Sequence, residues 1–370
     1  MSIATRKFNI VKLFLSKSIF NTDITFKILT FYWNILDNKN KIILKWIDIN
    51  KLHWCNLNTN INAIDLLKEN QDKIDWSILS KNPNAINLLK ENKDKIDWEL
   101  LSENVNAIDL LKEKLIYEKS LFNDKYYILD DFNKINWHCL SFNSNAIELL
   151  IENQDKINWY YLSLNPNAIK LLKANQNKID WYCLSSNPNA IELLKENQNK
   201  IDWYELSSNP NAIDLLKENQ DKINWSILSK NPNAIDLLKE NQDKIDWSIL
   251  SKNPNAIDLL KENIDKVDWY YLSKNPNAIE ILKNNKHKIN WRYLSKNPNA
   301  IEILKDNKHK INWGYLSKNP NAMQLLKEKN IYEKLLTKDE YNNLSYCKKI
   351  DWFSLSCNFS IFENESIPII

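Results

Sequence analysis

Apolar and polar positions follow one another in a fixed order that returns every 22 residues along most of the chain. A Trp marks each return: Trp54, Trp76 and Trp98, then Trp137, Trp159, Trp181, Trp203, Trp225, Trp247, Trp269, Trp291 and Trp313 in step, and finally Trp352. Residues 74–95, IDWSILSKNPNAINLLKENKDK, are the type unit. Repetition at this period predicts a stack of small supersecondary units, each too small to bury its own apolar face. Inside the unit the apolar residues form two groups at helical spacing, Trp76 with Leu79, then Ala85, Ile86, Leu88 and Leu89. Two short helices, each with one buried face, are predicted. The expected fold class is all-α, a right-handed-type α-solenoid of short helix pairs.

Polar residues punctuate the pattern. Asp75 stands where a helix N-cap belongs, and Asp or Asn precedes the Trp in every later unit; only His53 departs from this. Ile74 and Leu79 have the spacing of a hydrophobic staple. Asn82 and Pro83 read as an N-cap followed by Pro at the first helical position, and nine units carry Asn-Pro-Asn-Ala here. Asn92 reads as a stop, using the left-handed conformation that Asn tolerates. At Lys114 and Lys329 the LLKEN ending becomes LLKEK, and there the Trp spacing stretches to 39 residues. Both inserts begin Ile-Tyr-Glu-Lys, so without the Asn the second helix is expected to run on or a further helix to form.

These breaks divide the chain into an N-terminal helical cap or small module (1–50), repeats one to three (51–114), a helical insert (115–134), repeats four to twelve (135–329), a second insert (330–349), and a degenerate last repeat with tail (350–370). One unit could not stand alone, since ordering its backbone costs about 1–2 kcal/mol per residue. Neighbours must supply the burial, and capped ends are expected. A leucine-rich horseshoe competes, because Leu79-Ser-Lys-Asn82 looks like its LxxN element. The positions that should be apolar in it are Ser77, Glu99, His138 or Arg292, and Asn84, which favours the α-solenoid.

The unit WxxLSxNPNAIxLLKEN resembles tandem-repeat proteins encoded by giant amoeba-infecting DNA viruses, over about residues 50–363. The resemblance implies a viral repeat protein acting inside a host cell and carries no activity with it. An AT-rich genome would make part of the Asn usage mutational bias.

The single Gly, Gly314, disfavours sheet folds with tight hairpins and phosphate-cradling loops together. Lys and Arg exceed Asp and Glu by three, interleaved within each unit, so no polyanionic partner is demanded. Cys55, Cys139, Cys183, Cys347 and Cys357 form an odd set without metal spacing, consistent with a reducing compartment. No signal peptide or membrane span is read, and the expectation is a soluble protein of the host cytoplasm.

Comparison of units within the chain locates the freedom to differ. The two positions after each Trp vary most, and they gather Tyr160, Tyr161, Tyr182, Tyr204, Tyr270, Tyr271, Tyr293 and Tyr315 into stripes along one face. Tyr offers apolar area and a hydroxyl at low entropic cost, so these eight are the candidate partner-binding stripe. The bland alternative is that the second stripe packs between helices and the first decorates the surface. Trp76, Trp98, Trp137, Trp159, Trp181, Trp203, Trp225, Trp247, Trp269, Trp291 and Trp313 are expected in the structural core. A base-per-repeat nucleic-acid reader would need unbalanced cationic charge. His287 and His309 fall one unit apart, too far for one metal. The repeated Ser lack an adjacent base and are expected to end the first helix. No catalytic residue, cofactor or metal is expected. The run Asp23-Ile-Thr-Phe-Lys-Ile-Leu29, with Phe31 and Leu44-Lys-Trp46, loosely resembles an F-box, which would imply a ubiquitin-ligase substrate adaptor; it lacks the leading Leu-Pro. The reading that emerges is a non-enzymatic scaffold for protein–protein interaction, with the adaptor second and a structural or virion component third.

Overall fold

The computed structural model describes residues 40–121 and 129–364. Most of the expected N-terminal cap, including the F-box-like residues 23–31, lies outside the described residues, as do residues 122–128 of the first insert and 365–370 of the tail.

Each unit holds a first helix starting at its Trp; units one to twelve hold a second starting at the residue after Ala, an Ile in all but the twelfth, where it is Met323, and most units add a 3₁₀ turn. In the type unit these are Trp76–Ser80, Ile86–Glu91 and Lys93–Lys95. The chain is thus an all-α solenoid. The first helix is capped as its sequence predicts, the Asp75 carboxylate accepting the Ile78 amide at 3.1 Å. Leu79, Ala85, Leu88 and Leu89, with their equivalents in other units, are buried in one continuous apolar core.

Three polar links bind each unit to the next. Ser229 Oγ donates to Trp225 O at 2.8 Å and accepts the Asp246 amide of the following unit at 3.1 Å. Asn231, buried, donates from Nδ2 to Ser207 O at 3.2 Å and Asn209 O at 2.9 Å in the preceding unit. Asn233, exposed, donates to Pro210 O at 2.9 Å. Within the unit, the Lys244 ammonium lies 4.5 Å from the centre of the Trp225 ring. The same links recur along the array. In the first unit Asn58 stands in the Ser position, and its Nδ2 takes the Trp54 carbonyl instead.

These links do not stop at the last unit. His53 N donates to Ser356 Oγ at 2.8 Å, Asn60 Nδ2 to Ser356 O at 3.2 Å, and Asn62 Nδ2 to Phe359 O at 3.1 Å, while Lys51 lies 5.2 Å over the Trp352 ring. The first unit therefore sits on the thirteenth as any unit sits on its predecessor, and the solenoid closes into a ring. The thirteenth unit is composite. The C-terminal end supplies its first helix, Trp352–Ser356, and a 3₁₀ turn, Phe359–Ile361; the N-terminal side supplies the turn Ile49–Lys51 that carries its lysine. Strand β1 (Lys41–Ile43) and strand β2 (Phe362–Asn364) join the two halves, antiparallel, with Ile42 opposite Glu363. Leu44 N extends the pairing to Ile361 O at 2.9 Å, and Asn330 Nδ2 donates to Trp46 O at 3.2 Å. Described residues of the expected cap and of the F-box-like run thus belong to the seam. Ends that complete one another need no separate cap.

Local details depart from the sequence expectation. Asn82 does not cap the second helix, whose preceding residue is Ala85. Asn82 Oδ1 instead accepts the Asn84 amide at 3.1 Å in a turn, which leaves its Nδ2 free to reach the neighbouring unit. Asn92 is not left-handed: its φ of −135° lies in the ordinary region, and no described non-Gly residue has positive φ. It ends the helix by donating Nδ2 to Leu88 O at 3.0 Å, four residues back, which occupies a carbonyl the next turn would have used. Where Lys replaces it, the second helix runs on, over Ile108–Ser120 and Met323–Leu335. Of the Trp expected in the core, only Trp98 and Trp313 are buried; the others, placed at the first helical position, pack on the core from its rim.

Candidate binding surface

Across the seam, through units one to three and through units four to eight, first helices of neighbouring units approach each other more closely than second helices do. In a closed array the tighter layer is the inner one, so the first helices form the inner wall. Thirteen of them spaced about 8–10 Å apart would ring a circle about 33–41 Å across, leaving an opening of about 23–31 Å once side chains are allowed for. The least buried residues of the first helices are mostly the second and sixth of each unit, counting Trp as the first, with the third half-buried in most units and buried at Cys183.

The candidate tyrosines all come to this wall. Tyr160, Tyr161, Tyr182, Tyr204 and Tyr270 are exposed, with Tyr182 and Tyr204 each 52% accessible. Tyr271, Tyr293 and Tyr315 are half-buried. The eight form two sectors, not one stripe. In the first, Tyr160 and Tyr161 meet edge to face at 5.2 Å. A hydrogen bond to Glu205 pushes the Tyr182 hydroxyl up to about 12. In the second, Tyr270, Tyr271, Tyr293 and Tyr315 pack in series at 4.4–5.8 Å between ring centres, and Tyr270 Oη donates to Tyr293 Oη at 2.7 Å.

Cations fill this second sector. Lys252 lies 3.7 Å over Tyr271, Lys274 lies 4.2 Å over Tyr270 and 4.0 Å over Tyr293, and the Arg292 guanidinium lies 4.8 Å over Tyr315. Attention to the variable slots misses the sixth, which Lys230, Lys252, Lys274, Lys296 and Lys318 occupy in five successive units. That run was visible in the sequence; its clustering with the tyrosines was not. In the other units the same slot holds Thr59, Lys81, Glu103, Phe142, Leu164, Ser186, Ser208 and Cys357, and Lys81 is paired with Glu103 at 3.0 Å.

Other candidates are dispersed. His287 and His309 are exposed in separate 3₁₀ turns, and no metal-holding group of His, Cys, Asp and Glu exists among the described residues. Cys139 and Cys183 are each pushed up to about 11, chiefly by burial, which keeps both thiols protonated at neutral pH. The repeated Ser do not simply end the first helix; their hydroxyls bridge units. Among the described residues no helix is long and apolar enough to cross a membrane.

The fold and its wall define a closed α-solenoid ring with a tyrosine-lined interior. No family model, curated protein or solved structure matches the chain.

Proposed function

We propose that the chain is a non-enzymatic ring scaffold that binds a protein partner through the tyrosines of its inner wall. The observation that carries this is a division of labour within the unit. The recurrent Ser, Asn and Lys are engaged in holding units together, whereas Tyr160, Tyr182 and Tyr204 stand exposed on the concave side, with Tyr160 and Tyr182 reaching Cys183 and Glu205 of the next unit through their hydroxyls alone. Exposed aromatic side chains on a rigid concave surface suit partner recognition. The setting we propose is the host cytoplasm, on the odd set of thiols scattered over different units and one insert.

The test is affinity capture from host-cell lysate with the full chain and with the variant Y160A/Y182A/Y204A, after matching urea midpoints. Proteins retained by the native chain and lost from the variant support the reading. Identical retention by both would sink it.

A further inference from the structure

We propose that the basic sector of the inner wall seats an acidic, extended segment of the partner protein. This rests on the inner wall being the protein-binding surface and adds the chemistry of what lies there. Lys230, Lys252, Lys274, Lys296 and Lys318 are all exposed, and none makes an ion pair among the described residues. The capping carboxylates nearby, Asp246 and Asp268, are engaged by the Ser226 and Ser248 hydroxyls at 2.9 and 2.8 Å. Lys81, in the same slot elsewhere on the ring, is neutralised by Glu103. Sixth-position lysines without an ion pair among the described residues are therefore confined to one arc.

Geometry selects the form of the anion. Tyrosine faces hold Lys252, Lys274 and Arg292, so the cations are pre-organised and less entropy is lost when they engage a ligand. Adjacent units stand about 8–10 Å apart, close to the ~9 Å that one three-residue turn of an extended, polyproline-II-like polypeptide covers. In that form a carboxylate at every third position keeps to one face and meets one lysine per unit, and roughly twelve residues span the arc. A groove of about 540 Å³ lined by Lys274, Tyr293, Lys296, Tyr315 and Lys318 lies along this path. A single-stranded nucleic acid fits less well, because it needs free aromatic faces for its bases and here cations already cover those faces.

The experiment is fluorescence anisotropy on the full chain with three labelled probes: four tandem Glu-Ser-Ser triplets, the same peptide with Lys for Glu, and an oligothymidylate of equal length. The acidic peptide alone is expected to bind, with affinity falling as salt rises. K274E/K296E is expected to weaken it by about tenfold or more, while K81E leaves it unchanged. K296Q/K318Q, which removes no lysine seated on a tyrosine ring, guards against a folding defect in the first variant. Absent binding, binding indifferent to these substitutions, or tighter binding of the oligothymidylate overturns the proposal. Partner capture lost in the Tyr variant but retained in both Lys variants removes the acidic segment and leaves the inner-wall reading standing.

Discussion

Asn231 shows how much of the ring rests on single side chains. One carbonyl oxygen holds its own turn, through the Asn233 amide at 3.0 Å, and one amino group holds two carbonyls of the preceding unit. Only a side chain carrying both an acceptor and a two-proton donor can do this, so the Asn content expected to reflect mutational bias has a structural cause at this position. Asn231→Ala is expected to cost about 2–4 kcal/mol in urea unfolding, because both donor bonds vanish and buried carbonyls lose a partner. Asn231→Asp should be no milder, since it keeps the acceptor and loses the donor. The tryptophans make a second residue-scale test. Trp225→Ala is expected near the lower end of the 3–5 kcal/mol typical of large aromatic truncations, about 3 kcal/mol, and Trp313→Ala near the upper end, about 5 kcal/mol. Equal losses would mean that the extended helix beside Trp313 adds no burial.

At the scale of elements, the two inserts are one device used twice. The lysine that replaces the stop lies over the unit's own Trp, Lys114 at 5.0 Å from Trp98 and Lys329 at 5.4 Å from Trp313, doing what the 3₁₀ lysine does elsewhere. One turn on, Glu118 accepts the Ile135 amide and Glu333 the Ile350 amide, both at 2.9 Å. Lys114→Asn therefore removes a buried cation from a ring face as well as the continuity of a helix, and is expected to cost about 1–2 kcal/mol. A variant as stable as the native chain would show the extension to be dispensable. Burial raises the Glu118 and Glu333 carboxyls above their ordinary range and lowers Lys114 and Lys329. A raised carboxyl favours the folded state when protonated, so its contribution is full below the ordinary carboxylate range and is lost as pH rises through the raised value. Glu118→Gln, neutral throughout, should thus be more stable than the native chain at pH 7, with the difference shrinking as pH falls toward about 4. Melting both proteins across that range checks the sign.

For the whole molecule, closure removes the weak ends that an open solenoid must protect. In an open stack the last unit would fray, and a substitution there would cost little. Asn358 makes the same two bonds as Asn231, to Ser317 O and Asn319 O, both at 3.1 Å. Asn358→Ala is accordingly expected to cost as much as Asn231→Ala, and a loss less than about half as large would mean the seam opens in solution. Removal of residues 359–370 deletes β2 and should raise the radius of gyration measured by small-angle X-ray scattering, because the composite unit then lacks the strand that joins its halves.

Periodicity determined the unit: the spacing of Trp76, Leu79, Ile86 and Leu89 specifies two helices with one apolar face each, and Asp75 marks where the first begins. The change from Asn92 to Lys114 likewise marked where the second helix runs on, since a stop and its absence are local properties. Tertiary structure decided the rest. Asn82 and Ser80 read as local caps because their partners lie 17 to 24 residues away, in neighbouring units that sequence spacing does not place in contact. Closure was further from view, because it follows from a rotation of about 28° repeated at every junction until thirteen complete a circle, a sum that no single unit encodes. The sorting of tyrosines into a neutral and a cationic sector has the same origin, for only the ring sets Lys274 against Tyr293 of the next unit and turns both inward.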